Sequence, residues 1–176
     1  MSSTNLARLP AWSKDGDLHV VVETPRGASV KLAWEPELSA FTMTRALALG
    51  VTYPYDWGFV PGTRAEDGDP LDALVVHDTA TYPGVVLACR PLGLIELEED
   101  DHDGKRRRND RLVAVPVRHD RLADVHALDD LPARTRDEIE RFFLNTTYFT
   151  SKNASIRGWL DADATREHVR RCERDA

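Results

Sequence analysis

Apolar residues in this chain gather first in short runs of strand length and only later at helical spacing. Residues 18–24 (LHVVVET) and 29–34 (SVKLAW) have the β-branched and aliphatic content of strands, joined by a turn around Pro25-Arg26-Gly27. A third strand is expected over 41–45, and further strands over 73–76, 85–97 and 111–118, the last two joined by a charged hairpin loop. The period then changes. Pro132 stands where the first turn of a helix belongs, after Asp129-Asp130, and Ile139, Phe142, Phe143 and Thr146 mark one helical face. A second helix is expected to start near Asp161, with Thr165, Val169 and Cys172 spaced for burial. Many strands followed by two helices imply an α+β fold. No internal repeat or low-complexity linker divides the chain, so residues 1–176 read as a single domain with one substantial core.

Charge excludes some functions. A formal net charge of −7 disfavours general binding to nucleic acid or to an anionic membrane. The basic run Lys105-Arg106-Arg107-Arg108 lies directly behind the acidic run Glu98-Glu99-Asp100-Asp101-His102-Asp103, and together they read as a solvated loop. Cys89 and Cys172 lack metal-ligand spacing and read as small buried hydrophobes rather than a disulfide pair. The N-terminal residues lack an apolar signal region, and no run approaches the ~18 apolar residues of a membrane span. The expected location is the cytoplasm.

The chemistry is concentrated in residues 53–76, YPYDWGFVPGTRAEDGDPLDALVV, where Asp67, Asp69 and Asp72 fall within six positions on a turn feeding an apolar strand. Side chains of extended backbone alternate with period two, so Asp67 and Asp69 share one side. Pro70 fixes the local backbone before Asp72 opens the run Ala73-Leu74-Val75-Val76. Hard cations such as Mg²⁺ take oxygen ligands, and clustered carboxylates hold several at once. A solvated turn is the competing account of any Asp-Gly-Asp. An EF-hand loop is excluded, because counting from Asp67 places Leu71 at position 5 and Asp72 at position 6, where an oxygen ligand and a glycine belong.

The whole segment decides between these. YPYDWGFVPGT followed by DGDPLD resembles the signature of the soluble, Mg²⁺-dependent, barrel-type inorganic pyrophosphatases. The resemblance extends through VVVETPRGASVKL, CRPLGLIEL, RLVAVPV and the helix ending in Phe142-Phe143, and weakens over 97–110 and 144–158. It implies a small closed five-stranded OB-like β-barrel with two flanking helices, a homo-oligomer, and hydrolysis of inorganic pyrophosphate to two phosphates by a metal-activated water. Mg²⁺ is the expected cofactor, with Mn²⁺ as a substitute. By the same resemblance, Asp67, Asp69 and Asp72 hold metal, Asp69 also orients and deprotonates the nucleophile, and Glu23 faces the metal cluster. Lys31, Arg45 and Arg111 hold phosphate, with Trp57 beside the substrate.

Several positions depart from the family pattern. Ala33 replaces an acid, Trp57 a tyrosine, Asn109 a metal-ligating aspartate and Arg111 a lysine. Thr146-Thr147 stand in place of a tyrosine–lysine pair, for which Tyr148 and Lys152 are the nearest substitutes. Asn109 should share a strand face with Arg111, and Asp110 should point the other way. The long hairpin offers Glu99, Asp100, Asp101 and Asp103 as a further metal ligand, with nothing in the sequence to choose between them. Two other functions stay open on these departures: hydrolysis of an organic or nucleoside diphosphate, with the Trp57 indole stacking on a base, and a retired fold kept as a phosphate-binding subunit.

Overall fold

The computed structural model describes residues 5–147 and 149–173. Along the chain it contains β1 (Leu18–Thr24), β2 (Val30–Glu35), β3 (Ala40–Ala46), β4 (Asp56–Phe59), β5 (Asp72–Val75), β6 (Val86–Asp100), β7 (Arg106–Arg108) and β8 (Arg111–Pro116). Helix α1 (Ala133–Thr146), strand β9 (Ser155–Leu160) and helix α2 (Ala162–Cys172) follow. The larger sheet is mixed. Strand β1 pairs with β4, β4 with β5, β5 with β8, β8 with β6, and β6 again with β1. All of these pairings are antiparallel except β5 with β8. Strands β7 and β9 extend the long β6, while β2 and β3 form a separate hairpin. One row of register partners runs Val21, Phe59, Asp72, Arg111 across β1, β4, β5 and β8. That row brings an acid from one end of the sequence motif beside a cation from a distant strand.

Two apolar clusters flank the sheet. Trp57, Leu92, Val113 and Val115 pack under Ile139, Phe142 and Phe143 of α1. Leu18, Val20, Leu71, Leu94 and Leu112 pack with Val169 of α2. Both helices begin where the sequence predicts. Pro132 precedes the first turn of α1, where its missing N–H is not needed. The Asp161 carboxylate accepts a hydrogen bond from Ala164 N at 2.8 Å and caps α2. Cys89 is buried, and burial pushes its thiol pKa up, whereas Cys172 is only partly covered. No helix among the described residues is long and apolar enough to cross a membrane.

Three strands escape the sequence pattern. Strand β4, Asp-Trp-Gly-Phe, is short and interrupted by glycine. A Cβ at Gly58 would lie 1.9 Å from the carbonyl oxygen of Val21, so only glycine lets β4 approach β1 this closely. Strand β9 (SIRGWL) carries an arginine and a glycine and lies beside β6. Arg106, Arg107 and Arg108 form β7 rather than part of a solvated loop, which corrects the expectation for this segment. They stand opposite Asp100, Glu99 and Glu98, and opposite charges across a ladder favour pairing.

Candidate active site

The acidic turn is held by its own backbone. Thr63 is buried, donates from Oγ1 to Val60 O at 2.6 Å and accepts from Leu71 N at 2.9 Å, tying the two ends of the loop together. Inside it, Ala65 N donates to Asp69 O at 2.7 Å, and Asp69 N donates to Asp67 Oδ1 at 3.1 Å. The last contact is an Asx-type turn, which Asp favours. Gly68 sits between the two aspartates at φ +96°, a conformation in which an L side chain is strained. The loop therefore projects Asp67 and Asp69 into solvent and delivers Asp72 to the first position of β5.

The three aspartates face two adjoining cavities. Asp69 and Asp72 line a cavity of about 390 Å³ with Glu23, Lys31 and Ala33. Asp67 lines a larger one of about 740 Å³ with Glu99, Asn109 and Lys152, and Gly68 borders both. The sequence spacing brings the carboxylates to one turn but not into one cage. Among the described residues, no three acidic, histidine or cysteine side chains gather closely enough to enclose a metal. Carboxylates repel one another without a cation between them, and here a guanidinium lies against one of the three.

That guanidinium belongs to Arg111. Its Nη1 bonds to Asp72 Oδ2 and, at 2.5 Å, to Asn109 Oδ1, while its Nη2 donates to Glu99 Oε1 at 3.3 Å. Asn109 in turn donates from Nδ2 to Glu99 Oε2 at 3.2 Å. Arg111 and Asn109 thus share one face, as period two requires. Asp110 turns away to Arg108 at 2.8 Å and His168 at 3.7 Å. Burial lowers the Arg111 pKa to about 10, opposed by the nearby Asp67 charge. Arg111 therefore feels both Asp72, which it bonds, and the charge of Asp67.

Lys31 and Arg45 are direct partners across the β2–β3 hairpin. They line a narrow recess with Arg111, Tyr53 and Trp57. Burial lowers the Lys31 pKa to about 8, and the Arg111 charge pushes the same way. Burial raises Glu23, only 8% exposed, to about 7, although its Oε1 accepts a hydrogen bond from Trp34 N at 2.7 Å. The Asp69 charge raises Glu23 further, which places these two acids within electrostatic reach. Tyr53, unassigned by the sequence reading, is pushed up to about 12 by burial. Its position at the head of the YPYDWG motif was the available signal.

Trp57 does not offer the surface expected of it. It is 3% exposed, packed against Tyr53 and Phe143. The Arg111 guanidinium lies over its ring at 5.3 Å. No face is left for a base, because the indole fills a core position under α1. Its Nε1 is buried without a hydrogen-bond partner.

The hairpin acids separate by side. Asp100 pairs with Arg106 and Asp101 with Arg107, while Asp103 is exposed beside His102. Only Glu99 of the four turns inward, with bonds to Asn109, Arg111 and Lys152. Thr146 and Thr147 donate their hydroxyls back to carbonyls of α1. Tyr148 lies outside the described residues, but Lys152 reaches the recess shared by Lys31, Arg45 and Arg111.

Comparison with known proteins agrees with this arrangement. The family described as inorganic pyrophosphatase matches residues 20–176. An inorganic pyrophosphatase of Synechocystis sp. is 36% identical over 168 residues, 96% of either chain. One from Thermus thermophilus is 37% identical over 172 residues, 96% of this chain and 95% of that one. The crystal structure of an inorganic pyrophosphatase from Thermus thermophilus superposes with a TM-score of 0.88 at 35% identity, covering 96% of this chain and 97% of the other. A second, from Neisseria gonorrhoeae, has a TM-score of 0.83 at 28% identity, covering 93% and 94%. On sequence and on fold alike, this chain belongs to the inorganic pyrophosphatase family.

Proposed function

We propose that this protein is an inorganic diphosphatase that hydrolyses pyrophosphate to two phosphates with Mg²⁺, or Mn²⁺, as its cofactor. The observation that carries this reading is the gathering of Lys31, Arg45 and Arg111 around one narrow recess, with Lys31 reaching also into the adjoining cavity of about 390 Å³ that Asp69 and Asp72 line. A pyrophosphate anion needs cations on both phosphates and a neighbouring base for water. The donor set fits a hard divalent ion, since Asp67, Asp69, Asp72 and Glu99 all offer carboxylate oxygen. Such an ion supplies charge neutralisation and makes water in the site more acidic. Asp69, which lines the cavity with Glu23 and Lys31 and is not tied to Arg111 as Asp72 is, accepts the proton of the attacking water. Lys31 and Arg45 hold phosphate oxygens, Lys as a point charge and Arg through its planar fork. Arg111 holds Asp72 and is placed to transfer part of that interaction to phosphate. Asn109 orients Arg111 and Glu99 through its amide.

Related features belong to the same reading. The pairings that lead from β1 through β4, β5, β8 and β6 back to β1 support a closed five-stranded OB-like barrel, and residues 1–176 form a single domain. Free Cys89 and Cys172 suit a reducing, cytoplasmic location. Homo-oligomerisation rests on the family resemblance. The burial of Trp57 counts against a nucleoside diphosphate, whose base has no face to stack on.

A substrate panel tests the assignment. With Mg²⁺, inorganic pyrophosphate should be turned over faster than ADP or a small organic diphosphate. Asn109→Asp should raise kcat/KM for pyrophosphate at low Mg²⁺, because an added carboxylate strengthens the hold on metal. Adding Arg111→Lys should help further, since the two side chains touch and their effects couple. Faster turnover of another diphosphate, together with a loss on pyrophosphate from both reversions, would replace this reading with a specialised hydrolase.

A further inference from the structure

Three of the positions that depart from the family pattern meet at one guanidinium. Arg111 lies over the Trp57 ring at 5.3 Å and bonds to Asp72 Oδ2 and, at 2.5 Å, to Asn109 Oδ1. From Nη2 it donates to Glu99 Oε1 at 3.3 Å. We infer that Arg111 is a resident cation standing in for a divalent ion among Asp72, Asn109 and Glu99, so that this chain binds one divalent ion fewer than it would with aspartate at 109 and lysine at 111. Metal dependence itself belongs to the proposed function, on which this count of ions rests.

Charge balance supports the substitution. Asp72 and Glu99 carry two negative charges, while Arg111 and Lys152, whose Nζ lies 2.8 Å from Glu99 Oε2, carry two positive ones. The group is therefore neutral with its own side chains alone, and Asn109 adds an uncharged amide. A hard divalent ion is drawn to clustered carboxylate oxygens, and here no net negative charge is left for it. Aspartate at 109 would make the group negative. Asp110 cannot serve instead, because it faces away, accepting from Leu97 N at 3.1 Å and from Arg108 Nη2 at 2.8 Å.

The side chains also suit a guanidinium better than a metal. Asn109 accepts from Arg111 through Oδ1 and donates from Nδ2 to Glu99 Oε2 at 3.2 Å, whereas an ionised aspartate could only accept. Arg111 presents N–H groups in a fixed plane to three neighbours, and a lysine ammonium is a mobile point charge. The indole of Trp57 gives that plane the most favourable aromatic face for a cation. Strand register places Arg111 directly beside Asp72, and the arginine side chain is only 7% exposed, so the cation is held rather than passing through. Arg111 takes Oδ2 of Asp72 and leaves Oδ1, with Asp67 and Asp69, for the metal of the proposed function.

The test counts Mn²⁺ bound without substrate, by calorimetry and electron paramagnetic resonance. The double variant Asn109→Asp/Arg111→Lys should bind one Mn²⁺ more than the unaltered chain. Asn109→Asp alone should bind the same number as the unaltered chain, because the guanidinium stays in place. Arg111→Gln, which removes the charge and keeps a hydrogen-bonding side chain, is the second variant. It should bind Mn²⁺ at least ~10-fold more tightly than the unaltered chain, since a full positive charge a few ångströms away is gone. Its melting temperature in excess chelator should fall, because Asp72 and Glu99 lose their shared partner, and Mn²⁺ should raise it by more than it raises that of the unaltered chain. Equal ion counts in the unaltered chain and the double variant, with no gain in Mn²⁺ affinity in Arg111→Gln, would overturn the role of Arg111 and leave the diphosphatase reading intact. No Mn²⁺ bound by the unaltered chain would overturn both.

Discussion

Asp69→Asn should fold as the unaltered chain does and turn over pyrophosphate ~10²–10⁴-fold more slowly, the usual contribution of a positioned general base. The geometry explains why the two effects separate. The backbone of Asp69 holds the turn, with N–H to Asp67 and carbonyl to Ala65, and asparagine keeps both bonds. Its side chain is exposed and bears no part of the core. What the substitution removes is a carboxylate beside Glu23 and Lys31 that can accept a proton. Circular dichroism and thermal melting check the fold, and initial rates of phosphate release at saturating Mg²⁺ check the chemistry. A decrease of less than ~10-fold would reassign the base, since general-base contributions are larger than that.

Asp72→Asn should fail differently. Asp72 is partly buried at the start of β5 and is tied to Arg111. Its defect should be greatest at limiting Mg²⁺, where it should exceed the ~10–100-fold typical of an outer partner of a metal ligand. It should shrink as Mg²⁺ is raised, because mass action compensates for a weaker ligand. The Asp69→Asn defect should not shrink in this way. Mg²⁺ titrations of both variants decide it, and identical metal dependence would contradict the division of roles between the two aspartates.

These contrasts rest on residues of unequal legibility. The clustering of acids in the DGDPLD turn and the shared face of Asn109 and Arg111 could be read directly, because spacing and strand period fix them locally, whereas Lys31 and Arg45 were reached only through the family resemblance. The inward choice of Glu99 from four hairpin acids could not. It depends on which of Arg106, Arg107 and Arg108 neutralises each neighbour across the β6–β7 ladder, a register that sequence alone leaves open. The burial of Trp57 was illegible for a related reason. It lines the recess, but packing against Phe143 and Tyr53 under α1 leaves no free ring face for a base, and that packing is set by a distant helix. The expected strands and both helices were recovered wherever runs were long. The short β4 and the charged β7 and β9 take their structure from tertiary neighbours rather than from their own pattern. Lys152 reaches the recess from beyond α1, and the hydrogen bond from Asp100 N to its carbonyl, which holds it there, is a tertiary contact with no local signature in the sequence.

The most direct measurement is phosphate release from inorganic pyrophosphate by the purified protein, with Mg²⁺, with excess chelator, and with Mg²⁺ restored. The account predicts turnover that is lost in chelator and returns with the metal. Full turnover persisting in excess chelator, or no phosphate release at millimolar Mg²⁺, would contradict it.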